Sequence, residues 1–99
     1  MNREELISLF DKYSEEVALC AFDDVKNKYS KRSDLHAFIL LDKIMPSTHD
    51  IICSARHKEI FLECKIDKLA KVITEEQIKE LVACGVSYDS SRDCLYMFT

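Results

Sequence analysis

Gly85 is the only glycine among the 99 residues and Pro46 the only proline, and this scarcity limits the chain to a continuous run of regular elements. Flexible linkers and low-complexity tracts are built from such residues, so the sequence shows no internal boundary and no repeat. A chain of this length supports one interior. The expectation is a single domain over residues 1–99. Gly85 also closes the clearest local signal. Thr74 with Gln77 three residues later forms a capping box, Ile73 and Ile78 stand at the positions of a hydrophobic staple, and Gly85 falls where a left-handed C-cap is wanted. This predicts a helix over Glu75–Cys84 with Ile78, Leu81 and Val82 as its buried stripe, and Val86 folding back on Leu81.

Asn2 and Glu5 form a second capping box, from which Leu6, Leu9, Phe10, Tyr13, Val17, Cys20, Ala21 and Val25 follow at helical spacing. The apolar run Val17 to Phe22 is expected at the centre of the core. Ser14, followed by Glu15 and Glu16, leaves open a break near Lys12 to Ser14. The continuous apolar run Ala37 to Leu41 reads as a strand covered on both faces, and residues 46 to 50 as a turn.

Ile51–Ala55 is expected to pair with Ile60–Ile66 through a tight turn at His57 and Lys58. That register places Ile51, Cys53, Ala55, Ile60, Leu62, Cys64 and Ile66 on one face. Asp89 to Arg92 reads as a turn, and Cys94 to Phe98 as a closing strand. The predicted fold is α+β, an antiparallel sheet of about four strands with helices packed on one face, in the order α-β-β-β-α-β.

Apolar residues are 47% of the chain and charged residues 32%, the balance of a folded globular protein. A formal net charge of −4 with interspersed signs supplies no pull on a phosphate backbone, so nucleic acid is not expected as a partner. The basic run Lys26, Lys28, Lys31 and Arg32 reads as the end of a helix, where cations meet the last carbonyls. No apolar stretch approaches bilayer length, and the charged opening Met1 to Glu5 has no apolar continuation. Five cysteines without CxxC spacing fit free thiols in a reducing compartment. The expected location is cytoplasmic.

No catalytic, cofactor or metal site is expected. His49, Cys53, His57 and Cys64 are zinc-binding residue types, but their spacing matches no finger or knuckle, and the hairpin register turns Cys53 and Cys64 inward. Cys20 or Cys94 with His36 would supply a nucleophile and a base, yet nothing in the spacing singles out such a pair. Asp23 with Asp24, and Glu15 with Glu16, point about 100° apart on a helix and read as a solvated acidic side. One glycine cannot build a phosphate-binding loop.

Ile52 and Phe61 fall on the outer face of the hairpin, diagonal to each other, with Phe38 and Leu40 of the preceding strand as neighbours. Such an apolar cluster must be covered by the first helix, which is the plainer expectation, or face a partner. Phe38, Ile52 and Phe61 are therefore the candidate partner-binding residues, and Glu15 and Glu16 would steer a basic partner surface.

The tail, Ile73-Thr-Glu-Glu-Gln-Ile-Lys-Glu-Leu-Val-Ala-Cys-Gly-Val-Ser-Tyr-Asp with Asp93-Cys-Leu-Tyr-Met-Phe, resembles the ends of small proteins encoded by bacteriophages and prophages. Anti-CRISPR proteins are among them. The resemblance covers about a quarter of the chain. It implies a non-catalytic protein that binds and blocks or redirects a host protein, and it carries over no site residue. The function expected is thus a protein-interaction protein that regulates or inhibits a protein partner. The alternatives are a homodimeric structural module and a small enzyme using a cysteine or a metal.

Overall fold

Two capping boxes open the first and last helices. In the computed structural model, which describes residues 1–16, 22–62 and 65–98, helix α1 spans Arg3–Glu15. The Asn2 side chain accepts from the Glu5 amide at 2.8 Å and the Glu5 carboxylate accepts from the Asn2 amide. Helix α4 spans Glu75–Ala83, with the same reciprocal pair between Thr74 and Gln77. Each box satisfies two of the amides that a helix start leaves without partners.

At the other end of α4 the Gly85 amide donates to Val82 and the Val86 amide to Leu81, the bonding of a Schellman motif. Gly85 sits at φ +92°, and a Cβ built there would meet nothing within 4 Å. The penalty of a side chain is therefore conformational and not steric. Gly85→Ala is expected to cost about 1 kcal/mol, read as a lower urea midpoint with an unchanged slope.

Helix α2 (Ser33–Ile44) and helix α3 (Ile66–Val72) complete the helical layer, and residues 22–24 form one 3₁₀ turn. Strands β1 (Ser54–Arg56), β2 (Glu59–Phe61), β3 (Ser87–Asp89) and β4 (Cys94–Phe98) form an antiparallel sheet in the spatial order β1-β2-β4-β3. The fold is α+β, with the element order α1-α2-β1-β2-α3-α4-β3-β4. The expected hairpin register is the observed one, with Ser54 opposite Phe61, Ala55 opposite Ile60 and Arg56 opposite Glu59. The turn places His57 at φ 54°, the positive-φ conformation that two-residue hairpins require and that matches strand twist.

One apolar cluster joins all four helices to one face of the sheet. Leu6, Phe10 and Tyr13 of α1 meet Ala37, Leu40, Leu41 and Ile44 of α2, Ile66, Leu69 and Ala70 of α3, and Ile78, Leu81 and Val82 of α4. The sheet contributes Leu95 and Met97, with Ile60 and Tyr88 packed against the cluster and Leu62 completing it just beyond β2. Side chains alternate across a strand, so Phe61, Cys94, Tyr96 and Phe98 lie on the opposite face.

Several expectations are corrected. Residues 37–41 are not a strand but the middle of α2. Its buried positions His36, Ala37, Leu40, Leu41 and Ile44 repeat at helical spacing once the segment is followed to Ile44. The question of a break near Lys12 to Ser14 is answered one residue later, where α1 ends at Glu15 with Glu16 as its C-cap, so the helix does not run on to Val25. The Val17–Ala21 part of the expected core lies outside the described residues.

The second hairpin strand stops at Phe61, and Ile66 instead begins α3, where Ile66, Leu69 and Ala70 are buried, as is Ile73 just beyond. That i, i+3, i+4, i+7 stripe was present in the sequence. The basic run precedes α2 instead of ending a helix. Lys28 serves as a terminal cation, donating to the Asp23 and Val25 carbonyls at 3.2 and 3.1 Å.

Candidate functional site

The sheet face turned away from the helices holds an aromatic row on its two central strands. Phe61 stands opposite Tyr96 in the β2–β4 register, their ring centroids 6.3 Å apart. The Tyr96 and Phe98 rings meet edge to face at 5.5 Å, a favoured aromatic geometry. From the β3–β4 turn the Arg92 guanidinium lies 4.3 Å from the Phe61 ring centroid, within cation–π range. Phe61 and Cys94 are sealed, Tyr96 is half-buried, and Phe98 is 67% exposed. No helix among the described residues joins this face to the core cluster.

A polar clamp fixes the turn that carries Arg92. Arg3, in the first turn of α1, donates to the Asp93 carboxylate, which also accepts from the Tyr88 hydroxyl at 2.7 Å. Asp67 of α3 lies 3.5 Å from the same guanidinium. The Arg3 hydrogen bond, helped by that of Tyr88, holds the Asp93 carboxyl below the ordinary range. The same carboxylate pushes the Tyr88 hydroxyl up, since a bond donated to an anion favours the donor's protonated form.

A second feature is an open cleft of about 580 Å³ between the end of α2, the 45–53 segment and the start of α3. Its apolar wall comprises Leu41, Met45, Ile51 and Ile52, and Lys65 and Lys68 border it. Cys53 and His49 also line it. Cys53 is exposed, which corrects the expectation of an inward-turned thiol. Strand β1 is an edge strand with all three residues exposed, and Ile52 and Cys53 just before it are exposed as well. The Cys53 thiol donates to the Leu62 carbonyl at 3.1 Å.

Of the residue types considered for zinc, His49 and Cys53 share this cleft, His57 occupies the hairpin turn, and Cys64 lies outside the described residues. Among the described residues no group of three or more histidines, cysteines and carboxylates is placed to hold a metal ion.

His36 is fully buried. Its Nδ1 accepts from the Tyr29 amide at 3.1 Å and its Nε2 is 2.7 Å from a Glu80 carboxylate oxygen, an arrangement that requires the Nε2–H tautomer. Both nitrogens are thus engaged within the fold. The pairing of His36 with Cys94 does not form, as Cys94 lies on the far side of the sheet, and Cys20 is outside the described residues.

Cys84, four residues beyond Glu80, has its thiol pushed up to about 12 by burial, with the Glu80 charge adding to it. At neutral pH it holds on the order of a thousandfold fewer thiolates than an ordinary cysteine. Limited alkylation of the folded protein is expected to label Cys53 and to spare Cys84 until unfolding. Peptide mass spectrometry checks this, and equal labelling rates would contradict the placement.

The five residues expected to bind a partner are not brought together. Ile52 is 43% exposed but lines the cleft instead of the outer sheet face. Phe61 is on the outer face, as expected, yet is sealed and not covered by α1, which packs on the other side. Phe38 belongs to α2, half-buried against the core. Glu15 and Glu16 are exposed at the end of α1, and Asp23 and Asp24 are exposed in the 3₁₀ turn. The residues missed were Tyr96, Phe98 and Arg92. Alternation along Cys94 to Phe98 was legible, but which face would stay open depended on where the helices dock. No protein-family model, curated protein or solved structure matches the chain. Among the described residues no helix is long and apolar enough to cross a membrane.

Proposed function

We propose that the chain is a non-catalytic protein-interaction protein that regulates or inhibits a protein partner through the outer face of its sheet. The observation that carries this reading is the aromatic row of the outer sheet face, which ends in Phe98, 67% exposed, beside half-buried Tyr96 and exposed Arg92. Aromatic residues and arginine are the types that dominate binding energy at interfaces. The clamp on Asp93 holds the Arg92 turn in place before binding, which reduces the ordering cost of association. Exposed Glu15 and Glu16 would add steering towards a basic partner. The reading agrees with the tail's resemblance to phage-encoded accessory proteins acting in a host cytoplasm.

Phe98→Asp is the test. It is expected to weaken binding of a stoichiometric partner by about 2 kcal/mol or more, roughly 30-fold in Kd, while circular dichroism and Tm stay unchanged. Undiminished capture of the same partner by the variant would exclude this face. The same face would also serve an isologous contact between two copies. Light scattering at dilute concentration separates the two, since a dimer abolished by Phe98→Asp would make the assembly itself the functional unit.

A further inference from the structure

The three strongest features outside the proposed interaction face are the cleft beside β1, the exposed Cys53 thiol and the buried His36. The cleft mixes Lys65 and Lys68 with Asp42 and Asp50, so its charge selects no occupant. Cys53 lines that same cleft and shares its lack of a defined occupant. His36 is different, because each of its bonds has a definite consequence for the proton it carries.

Helix α2 buries the ring completely. Tyr29 stacks on it with centroids 5.0 Å apart and planes 20° from parallel, and Phe22 meets it edge-on at 5.6 Å. The Glu80 bond at Nε2 survives whether the ring is neutral or charged, since Nε2–H donates in both forms. The Tyr29 bond does not, because Nδ1 accepts the amide only while it carries no proton.

We propose that His36 is a proton-operated latch for the segment between the 3₁₀ turn and α2. Transfer of a proton from solvent to Nδ1 turns the one acceptor that holds the Tyr29 amide into a donor facing a donor. The Tyr29 peptide must then leave the ring, and residues 25–32 detach from the α2–α4 surface. The charged and titratable groups around the ring divide in their effect. Glu80 of α4 attracts the imidazolium. Lys43 of α2, 5.1 Å from the Tyr29 ring centroid, and Lys28, 5.2 Å from that of Phe22, oppose it. The Cys84 thiol beside Glu80 stays protonated and uncharged at neutral pH. What detaches carries Lys26, Lys28, Lys31 and Arg32 ahead of α2, so acid would free a basic segment. This inference is independent of the proposed function.

Two measurements on the full chain test the latch. Ring ¹⁵N shifts are expected to show the Nε2–H tautomer before acidification and the doubly protonated ring after it. Across the same titration, hydrogen exchange of the Tyr29 amide, corrected for the intrinsic pH dependence of exchange, is expected to lose about tenfold in protection. His36→Asn keeps a carbonyl acceptor near the place of Nδ1 but cannot titrate, and its Tyr29 protection is expected to stay flat.

An Nδ1–H tautomer at the outset, a ring that never takes up the second proton while the protein is folded, or Tyr29 protection unchanged through the ring's titration would each overturn the proposal. So would a fall in protection in His36→Asn matching that of the wild type. If that variant does not fold, the coincidence or separation of the two wild-type midpoints decides alone.

Discussion

Replacing Phe10 with alanine lowers the unfolding free energy by about 3–5 kcal/mol, whereas Phe98→Ala changes it by less than about 0.5 kcal/mol. Both side chains are phenylalanine, and the difference is entirely one of place. Phe10 is fully buried in the cluster that joins α1 to the other helices and the sheet, so truncation loses its transfer free energy and leaves a cavity in a close-packed interior. Phe98 stands at the end of the outer face and is 67% exposed. A loss of this size consumes a large share of the 5–15 kcal/mol typical of a whole domain. It appears as a fall in Tm of roughly 15–30 °C. Equal effects from the two substitutions would mean that the outer face is part of the core, and the proposed interaction surface would go with it.

His36→Leu is expected to cost about 2–3 kcal/mol, or roughly 10–20 °C in Tm. Leucine is of comparable size and suits a buried site, so packing alone predicts a small effect. The cost arises because the Tyr29 amide loses its acceptor and the Glu80 carboxylate loses its donor. The carboxylate is the less costly of the two, as the Glu80 side chain is 28% exposed and water can replace the imidazole. Glu80→Gln should therefore cost about 1 kcal/mol or less, and the double variant should fall short of the summed single losses. A His36→Leu protein as stable as the wild type would show that the ring's bonds add nothing net. The latch would then have no grip on its segment.

The candidate site was only partly legible. Pleat alternation assigned Phe61 to one side of the hairpin and Ile60 and Leu62 to the other, and each lies where alternation places it. The residues left open to a partner, Tyr96 and Phe98, carry the same alternating pattern as any strand with one buried face. Nothing local marks which side the helices will take. Cys53 was assigned inward by the same alternation, yet β1 is an edge strand and the helical layer does not cover it. Alternation orders residues into two faces and says nothing about what covers either.

Chemistry confined to a few consecutive residues determined α1 and α4, the Gly85 cap and the two-residue turn at His57 and Lys58. In those elements every decisive hydrogen bond joins residues within about five positions, so the local chain contains its own instructions. Tertiary structure alone decided the rest. A continuous apolar run such as Ala37 to Leu41 suits a buried strand or a buried helix equally well. It became α2 because the buried stripe from His36 to Ile44 meets α4 on one side, with His36 reaching Glu80 across 44 positions. Burial of apolar surface is non-directional and depends on partners distant in sequence. For that reason a single chain read residue by residue reveals which surfaces avoid water, but not which of them another part of the molecule will cover.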